Sequence, residues 1–184
     1  RMMNEWGIPS VEIWSLTYHY IDRLAKRGDY VPSVAFAGGI TMEDHIFKAL
    51  ALGAPYVKAI GMARAPLTAA MVGKNVGSRI AEDNLPVYYA RYGNTKDAIF
   101  VEATKLKTKF RGKFESLPTG AIGLYTYNQR LVHGLKQLMC GARKFTVQNI
   151  TRNDIAALTP EAVRTSGINY IMDVDKEEVE KILG

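Results

Sequence analysis

Two short apolar runs stand out from a chain whose hydrophobic residues otherwise recur at helical spacing: Val34-Ala35-Phe36-Ala37 and Tyr56-Val57-Lys58-Ala59-Ile60. Hydrophobic residues at consecutive positions predict strands covered on both faces of a parallel sheet, because a strand with one wet face alternates instead. Between the runs, Thr41 to Leu52 has the spacing of a half-buried helix, with His45, Ile46, Ala49, Leu50 and Leu52 in the pattern. Thr41 stands where an N-cap belongs, Asp44 follows at the third helical position, and Gly53 is a natural stop. Strand, helix, strand predicts a right-handed parallel crossover.

Beyond this unit the chain reads as helical. Val11 to Lys26 forms one helix and Ala63 to Met71 starts another. Pro86-Val87-Tyr88-Tyr89-Ala90 is an aromatic candidate for extended structure, and an amphipathic helix runs from Thr95 to near Gly112. Leu124 to Met139 is the longest apolar helix, and Asn153 to Leu158 a short one after Thr151. Thr159 and Pro160 open a further helix as cap and first helical residue, and Gly167 closes it. Asp175 with Glu178 caps the last, Lys176 to Leu183. The expected organisation is residues 1–80 as an α/β portion and 81–184 as a mainly helical extension packed on it.

Each strand run ends in glycine, at Gly38-Gly39-Ile40 and at Gly61-Met62-Ala63-Arg64. Glycine lets the backbone approach a ligand closely and offer N–H groups to an anion. Two such turns separated by one helix, with Arg64 just beyond the second, suit a phosphate group that takes backbone donors and one guanidinium. In an eight-stranded (β/α) barrel the loops after the seventh and eighth strands hold phosphate in this way. The fold class expected is therefore α/β, as the C-terminal part of a (β/α)8 TIM-type barrel, its last two strands, with an α-helical extension. A whole barrel needs roughly 200 residues or more, so most of it is expected upstream, in a longer polypeptide.

The stretch from Ala37-Gly38-Gly39-Ile40-Thr41 through Phe47-Lys48-Ala49-Leu50 to Ile60-Gly61-Met62-Ala63-Arg64-Ala65 resembles the end of the FMN-binding barrel shared by several flavoenzyme families. Glu5-Trp6-Gly7-Ile8-Pro9, Leu85-Pro86-Val87-Tyr88-Tyr89-Ala90-Arg91-Tyr92-Gly93-Asn94-Thr95, and Gly120-Ala121-Ile122-Gly123-Leu124-Tyr125-Thr126-Tyr127 with Gly141-Ala142-Arg143-Lys144-Phe145 resemble the stand-alone glutamate-synthase-like proteins. The resemblance implies FMN as cofactor, held by Gly38, Gly39, Ile40, Gly61, Met62, Ala63 and Arg64. It implies an oxidoreductase that reduces FMN and passes the electrons to an imine of 2-oxoglutarate and ammonia, yielding glutamate. Catalytic residues would lie on earlier strands outside this chain, leaving the fragment alone inactive.

Glutamate synthase itself places three cysteines after the last barrel strand for a [3Fe–4S] cluster, whereas Ala69 to Ile80 contains none here. The His-Gly-Gly-Arg run and the arginine of 2-hydroxy-acid oxidases are also missing. Two alternatives stand beside the main reading: a non-redox barrel binding a phosphorylated metabolite, and another FMN barrel enzyme related to those oxidases. Partners expected are a small-molecule substrate, the missing part of the barrel or another chain to cover the strand edges, and an electron-donor or amidotransferase subunit. Unpaired edges also point to a homo-oligomer.

Composition fits a folded cytoplasmic protein, with 47% hydrophobic and 23% charged residues among 184. The net charge of +6 raises a nucleic-acid reading, and Lys105 to Lys113 is the densest basic stretch. It falls on the solvated face of an amphipathic helix without base-stacking aromatics, so no nucleic-acid partner is expected. No apolar run approaches a membrane span. Cys140 is the single cysteine and reads as a small buried hydrophobe, and no metal-ligand pattern stands out. His45 stands close to the glycine pair, as a ligand to the anion or as a surface residue; His19 and His133 have no partner by spacing. Lys58, inside an apolar strand, must reach solvent along its stem or find a partner.

Overall fold

A computed structural model describes residues 7–184. The Glu5-Trp6 pair of the family motif lies outside the described residues. Most of what is described is helical, with nine α-helices and two short strands, β1 (Val34–Ala37) and β2 (Val57–Gly61), paired in parallel. This overturns the expected fold class: there is no C-terminal half of a (β/α)8 barrel, only a small, mostly helical protein carrying one parallel strand pair. The reason lies in the strands. Only Phe36 of β1 is buried, Ala35 and Ala37 are exposed, and in β2 Lys58 and Ala59 are exposed while Val57 is buried. The apolar positions left exposed in the pair, Ala35, Ala37 and Ala59, are all alanines, whose exposure to water costs little.

The chain forms two compact units, residues up to Gly61 together with Leu135–Gly184, and Met62–Gly134. In the first, α1 (Ser10–Lys26) packs on α2 (Glu43–Gly53) and on α8 (Pro160–Ser166). The α2 helix is buried from Ala49 to Gly53 because it lies directly on the strands, and a Cβ at Gly53 would stand 2.1 Å from Val57 and 2.8 Å from Phe36. Trp14 of α1 stacks on Phe36 at 5.3 Å and donates from its indole N–H to the Ala37 carbonyl at 3.2 Å. Leu52, Ala157 and Ile168 close the core beside Trp14, Ile155 and Val163. Arg152, in a 3-10 turn (Arg152–Asp154), donates to the carbonyls of Leu52 and Ser166 and lies face-on over the Tyr18 ring at 3.7 Å. Burial lowers its pKa from the usual arginine value, and it stays charged. Beside it, Tyr56 donates its hydroxyl to Asp22 at 3.0 Å, and Lys26 pairs with the other Asp22 oxygen at 2.6 Å.

In the second unit, α3 (Arg64–Ala81) crosses the start of α7 (Thr119–Gly141) through glycines. A Cβ on Gly73 would stand 2.6 Å from the Thr119 carbonyl oxygen, and one on Gly123 would stand 2.8 Å from that of Ala69. Backbones this close leave no room for side chains at those positions. Val76 and Ile122 flank the crossing and join Phe100, Ala103, Leu106 and Phe114 in the core. The long Thr95 helix expected from periodicity is broken: Thr95 caps α5 (Lys96–Ile99), accepting from the Ala98 N–H, and α6 (Ala103–Phe110) restarts after an extended Phe100. Pro86 is an N-cap, so Val87–Ala90 form a helical turn, α4, instead of extended chain. In the first unit the helix expected at 153–158 is replaced by the 3-10 turn, capped reciprocally by Thr151 and Asp154, and by a parallel bridge between Ala157 and Tyr170. α8 matches its expected caps, Thr159 accepting from Ala162 N–H and Gly167 left-handed at φ 66°. The last helix, α9 (Lys176–Leu183), has the expected span without a side-chain cap. Cys140 is exposed rather than buried. No helix among the described residues is long and apolar enough to cross a membrane.

The packing sets how the chain responds to substitution and to acid. Arg152→Met removes charge-assisted bonds to two carbonyls and should lower the unfolding free energy in urea by about 2–4 kcal/mol; Arg152→Lys should recover little, since an ammonium cannot reach both carbonyls in one plane. Gly73→Val should destabilise by about 1–3 kcal/mol through overpacking. By contrast Gly112→Ala, with nothing within 4 Å of the added carbon, should stay within about 0.5 kcal/mol of the parent. The bonds from Lys26 and Tyr56 hold Asp22 below the usual carboxylate pKa, a group more easily protonated unfolded than folded. Its contribution is therefore complete above about pH 4 and lost as pH falls through the folded value. Urea midpoints of the parent should drop more steeply with acidification than those of Asp22→Asn; equal slopes would remove Asp22 from the account.

Candidate functional site

The parallel register sets Ala37 beside Gly61, and a Cβ on Gly61 would lie 2.9 Å from that of Ala37. Parallel neighbours end on the same side, so the Gly38-Gly39 turn and the end of β2 stand next to each other. Gly38 and Gly39 have φ of 118° and 73°, values that side-chain-bearing residues rarely adopt. Both are exposed. At Gly39 an added Cβ would meet nothing within 4 Å, and among the described residues its N–H finds no acceptor. At Gly38 the same construction stands 2.7 Å from the Ser10 hydroxyl. Ser10 is the first residue of α1, so the turn also meets the start of a 17-residue helix, whose free N–H groups carry partial positive charge.

The other side of the turn is set by α2. Thr41 does not cap this helix; the cap position is Met42, without a side-chain bond. The Thr41 N–H instead donates to Nδ1 of His45 at 3.3 Å. That bond requires an unprotonated Nδ1, which leaves the proton of neutral His45 on Nε2. Glu43 and Asp44 occupy the first turn, where a carboxylate competes with any anion for the helix N-terminus. Asp44 is compensated by Lys48 at 2.8 Å, a bond that lowers its pKa below the usual carboxylate value. Glu43 leaves one carboxylate oxygen buried and unpartnered.

Of the residues singled out in the sequence, Gly38, Gly39 and Gly61 come together. Ile40 follows them in the chain, but its side chain is buried, so only its backbone faces the turn. Met62, Ala63 and Arg64 lie past the end of β2, with Arg64 the first residue of α3 in the second unit. Lys58 reaches out of the strand pair and donates to the Pro55 carbonyl at 2.9 Å, neither to a ligand nor to a carboxylate. His19 donates from Nε2 to the Thr165 carbonyl, 3.2 Å away, across a separation no sequence spacing reveals. Ser10 carried no signal in the sequence beyond a position ahead of a helix.

A cavity of about 320 Å³ lies in the second unit, lined by Lys96, Asp97, Lys107 and Glu115 among others. No residue of the glycine turns lines it. Its charges are spent on one another, in the Lys107–Asp97 pair and in Lys96–Glu115 at 3.2 Å. Among the described residues no cluster of His, Cys, Asp and Glu could hold a metal ion. Compared with protein-family models, curated proteins and solved structures, the chain matches nothing.

Proposed function

We propose that the paired ends of β1 and β2 hold the phosphate group of FMN, and that the chain serves an FMN-dependent oxidoreductase of the glutamate-synthase-like kind. The observation that carries the reading is the open glycine turn at Gly38-Gly39, set by the parallel register against Gly61 and by Ser10 against the start of α1. These are donors and helix ends suited to a phosphate monoester. The turn suits the group in a second respect: Gly39 is exposed, and nothing lies within 4 Å of where its Cβ would stand, so a ligand on that side of the residue displaces no protein atoms.

The residues divide the work by type. Gly39 would supply its N–H, Ser10 a hydroxyl donor, and His45 a second polar edge next to Thr41. Lys48 keeps Asp44 from opposing the anion. The family resemblance, not the turn, names the flavin; bound FMN would supply hydride transfer, with 2-oxoglutarate and ammonia as the substrates the resemblance suggests. Grip of a phosphorylated metabolite without redox chemistry uses the same donors.

FMN fluorescence quenching separates these readings. The parent chain should quench FMN saturably, and inorganic phosphate should compete. Gly39→Val should weaken FMN binding by roughly tenfold, about 1.4 kcal/mol, while Gly28→Val, which imposes comparable backbone strain at φ 76°, should leave it unchanged. Competition by phosphate with no preference for FMN over ribose 5-phosphate would favour the non-redox metabolite. No binding of either, or equal loss in both variants, would remove the turn as an anion site.

A further inference from the structure

The α1 helix is apolar on two opposite faces. Trp14, Tyr18 and Ile21 point into the first unit, while Ile13, Leu16 and Tyr20 form a stripe on the far side and are exposed. A helix hydrophobic on both sides is normally covered on both. In the same unit, α9 presents the complementary problem. It is eight residues long, no residue in it is buried, and Val179, Ile182 and Leu183 make an i, i+3, i+4 stripe with Ile182 73% and Leu183 81% exposed. A helix this short gains too little from its own hydrogen bonds to persist in water, and its order depends on packing that stripe.

We propose that the two stripes cover each other between two copies of the chain, α9 of each lying antiparallel on α1 of the other. Charge selects this occupant and this direction. The α1 stripe continues toward its C-terminus into Arg23, whereas the α9 stripe is preceded by Glu178. With the helices antiparallel, Leu183 and Ile182 lie along Ile13 and Leu16, Val179 reaches Tyr20, and Glu178 meets Arg23. A parallel arrangement would instead bring Glu178 toward Glu12 in the first turn of α1. Two-fold symmetry makes the contact reciprocal, so both stripes of both copies are covered by one operation and no open end remains to extend into a fibre. The α9 helix then acts as an amphipathic segment laid on an apolar helical surface, a mode in which i, i+3 and i+4 residues are the anchors.

Sedimentation velocity on the full chain across a micromolar to sub-millimolar range tests the arrangement. The parent should show a concentration-dependent monomer–dimer equilibrium. Ile182→Asp and, on the opposing surface, Leu16→Asp should each shift it toward monomer by roughly tenfold or more in dissociation constant; both positions are exposed, and far-UV circular dichroism checks that the variants stay folded. Arg23→Glu and Glu178→Arg should each weaken the dimer, and the double exchange should restore it. A chain that stays monomeric throughout, or a dimer indifferent to Ile182→Asp and Leu16→Asp, overturns the proposal. Failure of the double exchange to restore association overturns the antiparallel pairing.

Discussion

A single guanidinium organises the first unit. The last carbonyls of any helix lack intrahelical donors and concentrate the negative end of its dipole. Arg152 stands where two such ends converge, donating to Leu52 at the end of α2 and to Ser166 at the end of α8, with its flat face on Tyr18 of α1. One cation thus answers two helix termini and fixes a third helix through an aromatic ring. The ring passes the constraint on: Tyr18 is 5.8 Å from Tyr56, whose hydroxyl is tied to Asp22 and so to Lys26. Because α2 carries β1 and β2 against it, the placement of the strand ends, and with them the glycine turn, depends on this charge.

The second unit solves its packing without a charge at its centre. Small residues on α3 and α7 let two backbones approach, and the large side chains that border them, Val76, Phe114 and Ile122, then fill the space on either side. Lys96 and Lys107 both come to 5.9 Å from the Phe114 ring while pairing with Glu115 and Asp97, so the charged residues form a rim over an apolar centre. Lys107, from the basic stretch, is occupied with this rim.

What the sequence revealed was local chemistry. The span of α1, the β1 run, the last helix, and the Thr159-Pro160 to Gly167 unit are written in caps, prolines and periodicity within a few residues, and the structure has them. The parallel pairing of β1 with β2 was legible from the glycine-ended runs around one helix. The fold around them was not. Apolar letters do not distinguish Ala35 and Ala37, which face water, from Phe36, which does not. Phe100 sits in phase with Ala103 and Leu106, so periodicity alone runs straight across the break at φ −93°, ψ 110° where it turns into the core. Arg152 and Leu52 are 100 positions apart, and Ser10 meets Gly38 only once α1 has packed. Such contacts leave no trace in spacing, so Ser10 takes its place at the turn only in the folded chain.

The exposed face of the strand pair has a consequence for what the chain avoids. Two short parallel strands with free edges and an alanine surface are a ready template for stacking and for strand addition by like chains. Lys58 stands exposed in the same strand beside Ala59, its ammonium held by the Pro55 carbonyl. Any association that buries Lys58 would have to strip water from an ammonium that pairs with no carboxylate among the described residues. The lysine that looked out of place inside an apolar run is therefore a charge that any strand or sheet added there must desolvate.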